Sequence, residues 1–360
     1  MKSKLYTTIT GSGSYIPPVR IGNDDYLNSK FFDPATRKPF EKENREIIDK
    51  FYEITNIAER RHCTPSETTS ELGYKAALDA IESSGIDPET FDFIIVGHNF
   101  GDIPDENRRT DLLPCIAAKI KQKLDLKNPA MFAHDVIAGC PSWVQALIVA
   151  DLYLRSGQYQ RGLVIGTDVN SRVADPYDRD TMIFADGAGA VIVEAVEREE
   201  PVGILSHAAQ TDATEAHYLV MGRSLNEAYE KDDLFIRMQG HKVYVYALTN
   251  VPKVVKRSLQ LAGLTLSDVK KVLIHQANEK MDQAILERIF RLYKIKDIPG
   301  DVMPMTINFL GNSSSATIPT LYDLVAKGKL GDHKFESGDV ILFTSVGAGM
   351  MINSVVYKMP

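Results

Sequence analysis

The chain has 360 residues, 44% of them apolar and 25% charged, and a formal net charge of −7. This is the composition of a globular protein large enough for two domains or two large halves, and its acidic balance argues against a general nucleic-acid binder. The first ten residues lack the apolar stretch of a signal peptide, and no later apolar run is long enough to span a bilayer. The three cysteines (Cys63, Cys115 and Cys140) form neither a C-x-x-C pair nor a disulfide framework, so a reducing, cytoplasmic location without membrane contact is expected.

The opening Gly11-Ser-Gly-Ser14 is a strand-to-turn signal that lacks the third glycine of a dinucleotide-binding fingerprint. Residues 28–47 are polar, carry two prolines and predict a surface loop or short helical flap outside the core. A helical stretch at 76–84, ended by Gly85, then feeds the apolar run Phe93–Gly97, which has parallel-strand character. The same order recurs at 254–262, Gly263 and 272–275. A second echo sets Gly-Ala-Gly at 187–189 against Gly-Ala-Gly at 347–349, each beside an apolar run. These repeats predict a duplicated α/β architecture, with halves 1–200 and 201–360 meeting near the charged, Pro/Gly-punctuated seam at 197–203.

Three motifs carry candidate chemistry. Asp135–Trp143 (D-V-I-A-G-C-P-S-W) sets Cys140 among small residues just before a helical pattern, with Pro141 suited to the first helical position. The positive end of that helix predicts a lowered thiol pKa and a nucleophilic thiolate. His275 leaves an apolar strand in the sequence H-Q-A-N, and reacting groups gather at the carboxyl ends of parallel strands. In Asn308–Pro319 (N-F-L-G-N-S-S-S-A-T-I-P), Gly311 permits an unusual turn before Asn312, and the small residues let a helix begin close to another backbone. Taken singly, each has an ordinary structural reading as a small core residue, a strand-end histidine, or a turn and N-cap.

Charge is unevenly distributed. Between Lys253 and Lys296 ten basic residues face four acidic ones, against the sign of the whole chain. Within this stretch, residues 279–293 predict an amphipathic helix with Lys280, Arg288 and Arg291 on an exposed side. Met281, Ile285, Ile289 and Leu292 are expected inward. The basic side suits an acidic partner.

Together, Cys140, His275 and Asn312, in that order and in these contexts, resemble the ketosynthases of the thiolase superfamily, and among them beta-ketoacyl-acyl carrier protein synthase III. The resemblance runs over nearly the whole chain. It includes Ile9–Pro17, Glu59-Arg-Arg61, Glu67-Thr-Thr-Ser70, Asp168–Arg172, Asp175–Arg179, Phe184–Gly189 and Ser345–Gly349. It implies a thiolase-like, five-layered α-β-α-β-α fold with duplicated halves, a homodimer, and no metal or organic cofactor. It further implies that Cys140 takes an acyl group from a thioester, while His275 and Asn312 stabilise the enolate left when a malonyl thioester loses carbon dioxide. The backbone amides of Cys140 and Ala348 would form a second oxyanion hole. Acyl carrier protein is the implied partner, and Lys280 aligns with a basic residue used to meet it.

The implied product is a β-ketoacyl thioester of fatty acid biosynthesis. The alternative is a specialised enzyme joining two acyl units for a secondary lipid of dialkylresorcinol type, or for a polyketide. Arg179 matches a position that contacts the adenine of coenzyme A, whereas Lys50 and Ile54 stand where members using acetyl-coenzyme A carry a tryptophan and an arginine. A biosynthetic thiolase is excluded because Ser345-Val-Gly-Ala-Gly349 offers no second cysteine. The intact trio argues against a catalytically dead partner subunit.

Overall fold

In the computed structural model, which describes residues 4–360, two mixed sheets repeat one wiring pattern. Numbered along the chain, the earlier strands are β1 (Lys4–Tyr15), β2 (Val19–Gly22), β3 (Glu59–His62), β4 (Phe93–Gly97), β5 (Phe132–Val136), β6 (Arg161–Val169) and β7 (Asp186–Arg198). The later ones are β8 (Gly203–Thr211), β9 (Leu219–Gly222), β10 (Phe235–Met238), β11 (Val269–Ile274), β12 (Val340–Gly347) and β13 (Met351–Lys358). The first sheet has the order β1-β7-β6-β4-β5 and the second β8-β13-β12-β11. From β1 the successive pairings run antiparallel, antiparallel, parallel, and from β8 they do so again. The expected duplication is therefore present in the hydrogen bonding itself. Among the described residues, the second sheet has no counterpart of β5.

Helices α1 (Asn44–Thr55), α2 (Thr69–Ser84), α3 (Ile116–Lys123) and α4 (Ser142–Arg155) precede α5 (Gly240–Leu261), α6 (Glu279–Leu292), α7 (Ile307–Leu310) and α8 (Thr317–Ala326). Leu72, Ala76 and Ala80 of α2 and Ile116 and Ile120 of α3 pack on the outer face of the first sheet. Val251, Val255 and Leu259 of α5 and Ile285 and Ile289 of α6 do the same for the second. Between the sheets lie α4 and α8, whose Leu147, Ile318 and Leu321 share a core with Phe93 and Val191 on one side and Phe343 and Val355 on the other. This is the five-layered arrangement. A helix between two apolar walls has no solvent face, which is why α4 and α8 are apolar nearly all round. For the same reason β4, covered on both sides, is buried at every position, as a doubly covered parallel strand should be.

Two expectations need correction. The polar segment at 28–47 is largely an exposed loop, as expected, but it is not detached from the core, because Phe31, Phe32 and Ile47 are buried and Phe32 hydrogen-bonds through its amide to the Tyr177 carbonyl (2.8 Å). Its aromatic residues anchor a satellite core shared with Phe51, Met182 and Ile183, and this outweighs the polar composition around them. The two Gly-Ala-Gly runs are also not equivalent. The first lies inside β7, whereas the second spans the end of β12 and the tight turn before β13. Among the described residues, no helix is long and apolar enough to cross a membrane.

Candidate active site

The two central helices aim their N-terminal ends at one place. Cys140 immediately precedes Pro141, the cap of α4, and Asn312 lies in the loop between α7 and α8. The turn carrying Cys140 is tied by Ser142, whose fully buried hydroxyl accepts from the Ala138 amide (2.8 Å) and donates to the Gly139 carbonyl (2.6 Å). Gly139 has φ +65°, and a β-carbon there would stand 2.6 Å from the Ala348 nitrogen. Only glycine allows that approach, and it brings the Ala348 backbone alongside the Cys140 turn.

Cys140 as a residue is partly buried, and its thiol is desolvated. Burial pushes the thiol up to about 11, helped by the negative charge of Asp168 and opposed by a hydrogen bond from Ser314. The expected lowering by the helix end is therefore overturned. The desolvation of the thiolate outweighs a macrodipole that Cys140 meets only from just beyond the cap.

His275 is the first residue beyond β11, and its amide continues the ladder onto the Thr344 carbonyl (2.9 Å). Gln276 pins the following turn, donating to the Pro304 carbonyl (2.8 Å) and accepting from the Thr306 amide (2.8 Å). The imidazole is buried, with Nδ1 unpartnered. Burial drives its pKa down to about 4, with the nearby Ser314 backbone acting in the opposite sense. At neutral pH the ring is thus uncharged, able to donate one hydrogen bond rather than to act as a cation.

Asn312 is held by a parallel bridge to the 183–185 segment, its amide on the Ile183 carbonyl (2.9 Å) and its carbonyl under the Ala185 amide (2.8 Å). Gly311 precedes it at φ +71°, with Arg60 Cβ only 2.6 Å from where a β-carbon would sit. The Asn312 Oδ1 accepts from the Ser314 amide (2.9 Å), which leaves the side-chain N–H group free to meet a reactant.

Three residues to which the sequence reading assigned no role join this cluster. Ser314 Oγ lies 3.3 Å from Cys140 Sγ. Asn99 Nδ2 lies 2.7 Å from Ser314 Oγ and 2.8 Å from Asp168 Oδ2. Ser314 and Asp168 fell inside recognisable motifs, but Asn99 sits beyond the end of β4 and gives no sequence signal.

A cavity of about 600 Å³ opens beside this cluster, bounded by Lys50, Ile54, Arg179, Tyr244, Asn278 and Met281. Along its lining Lys50 pairs with Glu53 (2.8 Å), Ile54 is exposed, and the Arg179 guanidinium lies over the Phe40 ring at 4.8 Å. A second cavity of about 740 Å³ reaches Asn99 from the loops at 105–110 and 231–234. On α6, Lys280, Arg288 and Arg291 are exposed, and Lys280 approaches Glu53 at 4.0 Å. Met281, Ile285 and Ile289 are buried as expected, but Leu292 is 44% exposed. The buried stripe advances to Leu286 and Phe290, and the helix ends with Leu292 past the edge of the packing.

The sequence matches the 3-oxoacyl-[acyl-carrier-protein (ACP)] synthase III family over residues 134–213 and the C-terminal part of the same family over residues 259–359. Among solved structures, the chain is similar to the β-ketoacyl-[acyl carrier protein] synthase III of Thermus thermophilus, with 28% identity over 98% of this chain and 99% of that one and a TM-score of 0.78. The 3-oxoacyl-[acyl-carrier-protein] synthase III of Aquifex aeolicus gives 26%, 98%, 99% and 0.77 in the same order. The priming β-ketosynthase of the R1128 polyketide biosynthetic pathway gives 25%, 100%, 98% and 0.80. With the duplicated five-layered fold, these matches make the chain a member of the 3-oxoacyl-[acyl-carrier-protein] synthase III family of acyl-transferring, condensing ketosynthases.

Proposed function

We propose that this ketosynthase loads an acyl group onto Cys140 and condenses it with a malonyl unit on acyl carrier protein, giving a β-ketoacyl thioester for fatty acid biosynthesis. In the loading step the Cys140 sulfur bonds to the carbonyl carbon, the donor's carbon–sulfur bond breaks, and the released thiolate takes up the proton that Cys140 gave up. In the second step the malonyl carboxylate leaves as carbon dioxide. The electron pair left behind forms an enolate, whose carbon attacks the Cys140 thioester and expels the thiolate, which is then reprotonated. His275 and the Asn312 amide donate to the enolate oxygen, and the amides of Cys140 and Ala348 to the oxygen of the tetrahedral intermediate.

The observation that carries this reading is the convergence on Ser314. Its hydroxyl meets Cys140 Sγ, its amide meets Asn312 Oδ1 and its backbone lies near the His275 ring, which supports a single small volume shared by the three candidates. A neutral His275 suits a hydrogen-bond donor to an enolate, since it needs no proton from solvent at pH 7. The cavity lining supports a carrier-protein donor over coenzyme A. Ile54 offers no charge to a nucleotide phosphate, and Phe40 covers one face of Arg179. Lys280, Arg288 and Arg291 would receive the carrier protein.

The chain in this reading works as a homodimer. β5 is an unpaired sheet edge, and the exposed Leu113 and Ile137 near it support assembly there. A second reading, the joining of two larger acyl units for a secondary lipid or polyketide, is favoured by the second cavity at Asn99.

Intact-protein mass spectrometry after incubation with acyl thioesters tests the assignment. Wild type should gain the acyl mass, Cys140→Ala should not, and Asn312→Ala should gain it yet lose condensation by roughly 10²-fold or more. An acyl mass on Cys140→Ala at the wild-type level overturns the assignment, and the mass added to wild type separates the two readings of substrate.

A further inference from the structure

The buried sulfur of Cys140 presents a problem that the reaction must solve. Desolvation and the nearby Asp168 carboxylate both disfavour its thiolate, and His275, uncharged above about pH 4, supplies no compensating positive charge. The side-chain hydrogen bond that does reach the sulfur comes from Ser314, at 3.3 Å. We propose that Ser314 is a fourth catalytic residue, whose hydroxyl, oriented by Asn99 and Asp168, donates to the Cys140 sulfur and stabilises the thiolate that takes the acyl group. This deepens the reading of Cys140 as the nucleophile and rests on it.

The orientation follows from donor and acceptor counting. An ionised carboxylate can only accept, and Asp168 is surrounded by donors. The Asn99 amide reaches Oδ1 at 2.8 Å, while Asn99 Nδ2 (2.8 Å), the Ser315 amide (3.1 Å) and the Ser315 hydroxyl (2.6 Å) reach Oδ2. The atom of Asn99 that faces the carboxylate must therefore be its nitrogen, because the side-chain oxygen would meet a like charge. That nitrogen has a second hydrogen, and Ser314 Oγ lies 2.7 Å away to accept it. With its oxygen accepting from Asn99, the hydroxyl of Ser314 has its own proton free, and Cys140 Sγ is within reach. Asp168 thus fixes the Asn99 amide group, which donates to both Asp168 and Ser314, and Ser314 in turn donates to Cys140.

The backbone points the same way. Ser314 has φ +56°, a left-handed conformation that costs little for glycine and more for a residue with a β-carbon. A serine is nevertheless present, buried and with its hydroxyl 3.3 Å from the sulfur. Backbone strain of this kind persists where the surrounding contacts hold it, and it is concentrated at functional sites. The simpler alternative is that Ser314 only closes the turn through its amide bond to Asn312 Oδ1. A turn formed by that amide would be insensitive to loss of the hydroxyl.

The test reads the proton state of Cys140 directly. Full-length wild type, Ser314→Ala, Ser314→Gly and Asn99→Ala are alkylated with iodoacetamide across a pH series, and labelling of the Cys140 peptide is followed by mass spectrometry so that Cys63 and Cys115 do not contribute. Removing one charge-assisted donor should move the alkylation profile up by about one pH unit, or slow labelling about tenfold at a fixed pH below the midpoint. The glycine variant relieves the positive φ, so it keeps the test valid if the alanine variant folds poorly. Unchanged profiles in folded Ser314→Ala and Ser314→Gly overturn the proposal. A shift in those variants with none in Asn99→Ala overturns the relay through Asn99 and Asp168. Failure of the underlying reading is recognised separately, because it would appear as acylation of Cys140→Ala whatever the alkylation profiles show.

Discussion

A buried imidazole that resists protonation changes what acid does to this protein. Burial holds His275 at about 4 in the folded chain, against 6.5 for the group in water. Between those values the unfolded chain binds a proton that the folded chain does not, so His275 costs stability as pH falls through this window. The full difference corresponds to about 3 kcal/mol. Asp168 and Asp178, each raised to about 6 by burial, act with the opposite sign. The folded chain protonates them before the unfolded chain does, which adds stability as pH falls below about 6. The wild-type profile therefore mixes both effects, and a comparison isolates one. We predict that His275→Asn loses less stability than wild type between pH 6.5 and pH 4, in urea unfolding at fixed pH. Parallel losses in the two proteins would show that the imidazole titrates as it does in water.

At the scale of elements, the site is an intersection of two helix beginnings and one strand end. α4 and α8 are central helices from different halves, and both start beside the carboxyl end of β11 where His275 sits. α6 follows directly from that strand and carries the basic side chains outward from the same place. Its exposed cations lie where surface ion pairs are weak, since Lys280 and Glu53 are each 60% exposed. They are consequently available to an acidic partner. Charge reversal at Lys280 and Arg288 should raise the Michaelis constant for carrier-bound substrates, most strongly at low salt, with little change in turnover. A Michaelis constant that is unchanged at every ionic strength would leave these residues as ordinary solvated surface.

For the whole molecule, the donor is the open choice that the cavity lining bears on. Losing an aromatic stack and a cationic phosphate contact each removes on the order of 1 kcal/mol or more, or roughly thirtyfold together. A carrier protein instead binds through its own surface. Acyl transfer to Cys140 should therefore have a higher specificity constant from acyl carrier protein than from coenzyme A bearing the same chain. Matched thioester pairs decide it, and equal use of the coenzyme A thioester would show that the 28–47 segment, with Phe40 beside Arg179, accepts a nucleotide. The residues alone determined a great deal: the α/β class, the repeated helix–strand units and the family to which Cys140, His275 and Asn312 point. These signals are local, written in glycines, apolar runs and short motifs that need no knowledge of distant neighbours. Tertiary structure decided what depends on desolvation and on contacts between remote segments. The thiol of Cys140 is raised rather than lowered because burial outweighs a helix end. Phe31 and Phe32 are core because Met182 and Ile183 fold against the same cluster. Asn99 joins the site only because the end of β4 comes to rest between Asp168 and Ser314, three segments that nothing in their own sequence ties together.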